Sequence, residues 1–267
     1  MYDSKGCSRP LMAGEVLPQG IADLEGAMNK AATKSFPGTS SASQFREFAA
    51  WLAVLLIGAT ILLLAALHVL SPEFSPSWRV ISEYAFGHYA WVLSLMFLCM
   101  GSSSWALAAA IWSEVHTSGG KVGLWLLLIA GLGGAMASFF NITHEIGHAI
   151  AGFLGVIGFP IAALLLSVAL GRNENWRAAR TRLLCVANLS WIQCPAAGGD
   201  ASHHDHASVE AQWGPLAATR AKGFAAGVLA LDGWADRLIV LCNCSWVLLA
   251  AWQAIQGHRN HPDAGSH

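Results

Sequence analysis

Four apolar stretches, each unbroken and long enough to cross a bilayer, constrain this chain more than anything else in it. They are Phe48–Leu70, Tyr89–Ile111, Val122–Phe140 and Ile146–Leu170. A spanning helix needs roughly 20 apolar residues to cover a hydrocarbon core about 30 Å thick. The first stretch holds His68 as its only Asp, Glu, Lys, Arg or His, the fourth holds only His148, and the two between hold none. A helix of a water-soluble protein needs a polar face, and these have none to offer. Leu238–Ile255 reads as a shorter fifth span and Leu183–Cys194 as half of a sixth. The expected fold is all-α, a polytopic membrane helical bundle of about six transmembrane helices.

Composition agrees: 55% of residues are hydrophobic and 12% charged, about half the charge of a soluble protein at roughly 25%. The net charge of −1 gives no reason to expect nucleic acid as a partner. Five of the six cysteines fall in apolar stretches, where a free thiol behaves as a small hydrophobe. Cys242 and Cys244 are two apart on an expected helix, so they point to different sides and cannot chelate one metal together. The chain carries no P-loop, dinucleotide-binding or haem-attachment motif, and we expect no cofactor. Residues 1–47, with Gly, Ser, Pro and scattered charge, read as a disordered cytoplasmic tail, or in part as sequence upstream of a true start at Met28. Residues 48–256 form the bundle, with 193–223 irregular, and 257–267 form a short C-terminal tail.

Lys and Arg near span ends favour the cytoplasmic side. With the N-terminus inside and six segments crossing, the inner side holds Lys5, Arg9, Lys30, Lys34, Arg46, Lys121, Arg172, Arg177, Arg180, Arg182 and Arg259. The outer side holds Arg79, Arg220, Lys222 and Arg237, which makes 11 against 4 of the 15. Both termini are then cytoplasmic, in the cell membrane. Trp51, Trp91, Trp112, Trp125, Trp234 and Trp252 stand near expected span ends, as an aromatic belt would.

Gln193–Trp213 is out of character for a span, with Pro195, paired glycines, Asp200 and His203-His204-Asp205-His206. A His-rich loop of this kind can bind metal. A one-base slip in suitable codons would instead turn the same stretch into Leu, Ile, Ala and Met, and we favour that local frameshift as the reading.

His144-Glu145-Ile146-Gly147-His148 matches the H-E-x-x-H pattern, in which two imidazoles on one helix face bind zinc and the Glu acts as general base. Leu231-Asp232-Gly233 supplies a candidate third ligand, although Asp232 lies outside the apolar span. Against a zinc hydrolase stands a simpler account: Asn141 or Thr143 caps the helix, and Glu145 complements its positive end. At the first loop, Ser71–His88, Pro72 and Pro76 stop the first span. Trp78, Ile81 and Ala85 then recur at helical spacing, suggesting a short interfacial helix with an exposed Arg79–Glu83 pair.

His68-Val69-Leu70-Ser71-Pro72-Glu73-Phe74, Trp78-Arg79-Val80-Ile81-Ser82-Glu83-Tyr84 and Gly87-His88-Tyr89-Ala90-Trp91 resemble a membrane family catalogued as domain of unknown function 998. The resemblance extends through Gly158-Phe159-Pro160-Ile161 and Gly233-Trp234-Ala235-Asp236-Arg237-Leu238, covering about residues 50–256 apart from Gln193–Trp213. It implies a bundle of about six helices and no established reaction. It also implies that Asn141, His144 and His148 match a family segment in which Glu145 is not a feature.

The candidate ligand-binding residues are therefore His68, Glu73, Glu83, His144 and His148, with His68, His144 and His148 expected to face one another in the outer half of the bundle. Ionisable groups within spans usually face a cavity or the bundle interior. The expected function is recognition of a small ligand, an ion or a lipid headgroup from the outer side. A zinc-dependent hydrolase and a structural subunit without a pocket are the alternatives. The partners expected are the lipid bilayer and a small-molecule or lipid ligand, and no nucleic acid.

Overall fold

The structure is a computed structural model that describes residues 38–77, 79–198 and 232–260. Helix α1 runs Gly38–Leu70, α2 Ala90–Ile111, α3 Ser118–Phe139, α4 Glu145–Gly152, α5 Gly158–Leu170, α6 Glu174–Gly198 and α7 Asp232–Asn260. A π-helical turn, Phe153–Ile157, joins α4 to α5, and a 3₁₀ helix, Ile81–Phe86, lies between α1 and α2. No strand occurs among the described residues. Five segments are long and apolar enough to cross a membrane: Ser41–Leu70, Ala90–Glu114, Ser118–Phe139, Glu145–Leu170 and Gly233–Gly257. The protein is a multi-span helical membrane bundle.

The helices close a ring, with α1 on α2, α2 on α3, α3 on α5, α5 on α6, α6 on α7 and α7 back on α1. Helix α6 is the sixth member. Arg177, Arg180 and Arg182 in its first half, and Asn188, Ser190 and Gln193 beyond, keep it below the apolarity of the other five. It packs nonetheless through Trp176, Ala179, Leu183, Ala187 and Ser190, all buried and three or four residues apart. The expected half span is thus a full helix whose backbone continues through 193–198. The proposed irregular stretch and its His203–His206 cluster otherwise lie outside the described residues.

Small residues bring the backbones together, as in membrane helix pairs generally. A β-carbon on Gly101 would stand 2.5 Å from the Gly131 carbonyl oxygen and 2.9 Å from the Ala135 nitrogen. One on Gly131 would meet Trp105 Nε1 at 2.6 Å, and that indole N–H donates to the Leu128 carbonyl at 2.9 Å. Buried polar groups inside the ring are tied across helices, since hydrocarbon leaves them no water. Trp246 Nε1 donates to Ser167 Oγ at 3.0 Å, and Ser190 Oγ to Asn243 Oδ1 at 3.3 Å.

The bundle has two unlike ends. At one, which we call the arginine end, lie Arg46, Lys121, Arg172, Arg177, Arg180 and Arg182. Arg46 approaches Glu114 at 3.9 Å, and Asn173 Nδ2 donates to the Glu114 carbonyl at 2.9 Å. The opposite, loop end holds Ser71–His88 and the start of α7. Paired indoles stand near the arginine end, Trp112 with Trp125 at 6.1 Å and Trp51 with Trp252 at 6.3 Å between centroids. Trp91 and Trp234 stand exposed near the loop end, so both ends carry aromatic residues where interfaces would fall.

Two boundaries differ from the sequence reading. Helix α1 starts at Gly38, ten residues before Phe48, because its polar first turns reach past the apolar stretch to the Arg46–Glu114 tie. Helix α7 starts at Asp232 rather than Leu238, which brings Asp236 and Arg237 inside the last span.

Candidate functional site

The loop end folds inward. The 3₁₀ helix does not lie along an interface: Ile81, Glu83 and Tyr84 are all buried, with Tyr84 wholly so. Arg79 follows it in, at 8% exposure, and donates to Glu83 Oε2 at 3.1 Å. The i,i+4 pair expected on the surface is thus a buried one, whose loss is far more costly than that of an exposed pair.

Arg237, 3% exposed in the second turn of α7, organises this end. Its Nε donates to His68 Nε2 at 2.8 Å, its Nη1 to the Arg79 and Gly233 carbonyls at 2.7 and 2.8 Å, and its Nη2 to the Tyr84 hydroxyl at 3.2 Å. All four acceptors are neutral. Because Arg237 can only donate, His68 Nε2 must carry a lone pair. Nδ1 then carries the proton, and it lies 2.6 Å from the Leu64 carbonyl, which can only accept. One tautomer satisfies both contacts. The rings continue the network: Arg79 stands 5.5 Å from the Phe74 centroid, Phe74 5.2 Å from Tyr84, and Arg237 5.8 Å from Tyr84. These distances fit cation–π and offset aromatic contact. The 3₁₀ helix, α1 and α7 are thereby fastened to one another.

Beside this fastening lies a cavity of about 440 Å³ lined by α1, α2, α3, α7, the 3₁₀ helix and the α4–α5 span. Most of its wall is apolar, including Ile57, Met100, Phe159, Ile239 and Val247. Its polar points are Ser82, Ser103, Ser104, His148, Asp236 and Asn243. Asp236 Oδ2 accepts the Ile81 N–H at 2.6 Å, which links the cavity wall to the 3₁₀ helix. Asp236 also lies within electrostatic reach of Arg237, His148 and Glu83. His148 Nδ1–H donates to the Phe140 carbonyl at 3.1 Å, and its Nε2 has no hydrogen bond among the described residues. The π turn supplies Phe153, Gly155, Val156 and Ile157 to the wall, and such turns often mark functional sites.

The five candidate residues fall in three places. His68 and Glu83 belong to the Arg237–Arg79 network. His148 lines the cavity. Glu73 and His144 are exposed at the surface. The three imidazoles expected to face one another have separate partners instead. His144 sits before the helix, at φ −103° and ψ 73°, so it does not share with His148 the face that four helical residues would give. It contacts Thr143 and the edge of the Phe140 ring. Asn141 organises the turn, its Oδ1 accepting from the Thr143 N–H at 3.1 Å. Among the described residues no three His, Cys, Asp or Glu side chains converge as a metal site would require. The side chain of Asp232 is outside them.

Asp236 and Arg237 were not among the candidates, although they belong to the Trp-Ala-Asp-Arg-Leu segment. Their signal was position: a charged pair abutting a span becomes intramembrane once the helix starts two turns earlier. Asn243 and the Ser103–Ser104 pair gave no comparable signal, because small polar residues are common inside apolar spans.

A family model described as "Protein of unknown function (DUF998)" matches residues 52–253. Searches of curated proteins and of solved structures found no match.

Proposed function

We propose a ligand-binding role for this chain, which belongs to the DUF998 family on the strength of that match: it holds a small amphipathic molecule in the cavity beside α7. One observation carries the reading, a cavity of about 440 Å³ inside a membrane bundle, apolar over most of its wall and polar at a few points. Small-molecule sites have this character and run roughly 300–1,000 Å³. Of the residues expected from sequence, His148 belongs to this site. His68, Glu83 and their arginine partners hold the loop end in shape around it.

The same reading puts the arginine end in the cytoplasm of a cell-membrane protein and the His148–Asp236 side toward the exterior. The charge asymmetry supports it. Arg79 and Arg237 at the loop end spend their charge on buried protein contacts, so the surface contrast is sharper than a count suggests.

Gly155 tests the cavity. A β-carbon there meets nothing within 4 Å, so Gly155→Leu adds bulk to the wall without a backbone clash. In a thermal-shift screen of small amphiphiles, wild type is expected to be stabilised by a subset, and Gly155→Leu to fold but lose that response. If no amphiphile stabilises wild type, or if both proteins respond alike, the cavity is not a binding site.

A further inference from the structure

The polar points of the cavity are not an even mix of donors and acceptors, and that imbalance constrains the occupant. Resting on the binding role proposed above, we infer that the cavity selects an amphiphile with a cationic, donor-rich head, such as a primary ammonium, and a short apolar tail.

The inference follows from where each proton is already committed. Asp236 Oδ2 takes the Ile81 N–H at 2.6 Å, and a carboxylate with about four lone-pair sites retains capacity for further donors. His148 gives its Nδ1–H to the Phe140 carbonyl, so Nε2 is an acceptor whenever the ring is unprotonated. Ser103 and Ser104 direct their hydroxyl protons to the Met100 carbonyl, at 2.7 and 3.4 Å, and keep their oxygen lone pairs. Asn243 Oδ1 takes the Ser190 hydroxyl, which leaves its amide N–H₂ and the Ser82 hydroxyl as the side-chain donors. Acceptors therefore predominate.

Charge points the same way. No Lys or Arg lines the cavity, whereas Asp236 does. Arg237 is the nearest cation along the chain, but its Nε, Nη1 and Nη2 are engaged by His68, two carbonyls and Tyr84. A carboxylate or phosphate head would bring further acceptors to a wall that offers few donors. An ammonium would bring three N–H groups to a carboxylate, an imidazole nitrogen and serine oxygens, in a medium where such contacts are strengthened.

Three probes of equal tail length separate the possibilities: octylammonium, octanol and octanoate. Each is titrated into full-length protein in phosphatidylcholine nanodiscs, with empty nanodiscs subtracted to remove partitioning. Octylammonium should bind at least tenfold more tightly than octanol, and octanoate should not bind measurably. Asp236→Asn keeps an oxygen for the Ile81 N–H and should reduce the ammonium advantage to within twofold of octanol. Octanoate binding as well as octylammonium, or an ammonium preference that survives Asp236→Asn, would overturn the inference while leaving the cavity reading in place. If Asp236→Asn does not fold, the wild-type ranking of the three probes decides alone. Absence of binding by all three, or equal binding by Gly155→Leu, would remove both readings.

Discussion

Replacing Arg237 with Met should damage the fold more than any other single substitution at the loop end. The side chain donates four hydrogen bonds from a position only 3% exposed. Not all four acceptors suffer equally. The Gly233 carbonyl keeps its own helical hydrogen bond, and the Tyr84 hydroxyl can rotate. The loss falls on His68 Nε2 and the Arg79 carbonyl, each left without its donor. A buried unsatisfied group costs about 1–3 kcal/mol, so the two together cost about 2–6 kcal/mol. Met retains most of the apolar stem, so little of the effect comes from lost packing. Arg237→Lys should fall between, since one ammonium cannot reach acceptors that the guanidinium spans from three nitrogens. Reversible unfolding in mixed micelles, followed by tryptophan fluorescence, gives the stability change. A double-mutant cycle with His68→Leu gives the coupling, expected at about 0.5–3 kcal/mol for residues in one network. An Arg237→Met cost below about 1 kcal/mol, or strict additivity with His68→Leu, would refute the argument.

Three further outcomes follow from other parts of the structure. Nitrogen NMR of His68 should show a neutral ring protonated at Nδ1, because Arg237 occupies Nε2; an Nε2–H signal would mean that the arginine points elsewhere. Gly101→Ala should destabilise by about 1–3 kcal/mol through overpacking against the α3 backbone. Gly58→Ala, whose β-carbon meets nothing within 4 Å, should be neutral or stabilising by up to about 1 kcal/mol, and comparable losses at both would undo the packing account. In a cysteine-free background, an impermeant maleimide applied to intact cells should label His88→Cys and spare Glu174→Cys. The reverse pattern would invert the proposed orientation.

The apolar stretches were legible because hydrocarbon leaves so few alternatives. A run such as Val122–Phe140 has no polar face, and the structure makes it a spanning helix. Helix α6 was only half legible, since Pro195 and the arginines lowered its hydropathy while its Trp176–Ser190 packing face follows a period that does not depend on apolarity. At the site, sequence marked His148 and His68 as intramembrane ionisable residues, and both are engaged in the protein. It did not separate them, because which imidazole meets Arg237 and which meets the cavity depends on how α7 starts. Glu73 and His144 looked equivalent to Glu83 and His148 in local pattern, yet they are exposed. The difference lies in the inward fold of the 3₁₀ helix and in the turn at Asn141, neither of which a periodic reading contains.

The π turn at Phe153–Ile157 has a bearing on which side chains the fourth span can present at its two ends. A single wide turn inserts about one residue beyond the α repeat, and one residue corresponds to about 100° of rotation. The lower half of this span is committed to the bundle by Phe159, Ala162, Ala163 and Leu166, all buried. Were the helix regular throughout, that commitment would also fix the azimuth of the upper half. The wide turn frees it, so that one half is rotated to seal the ring while the other turns His148 toward α7. Shortening Phe153–Ile157 by one residue would rejoin the two halves as one rigid screw. His148 would then swing out of the cavity with no change to its own sequence neighbours.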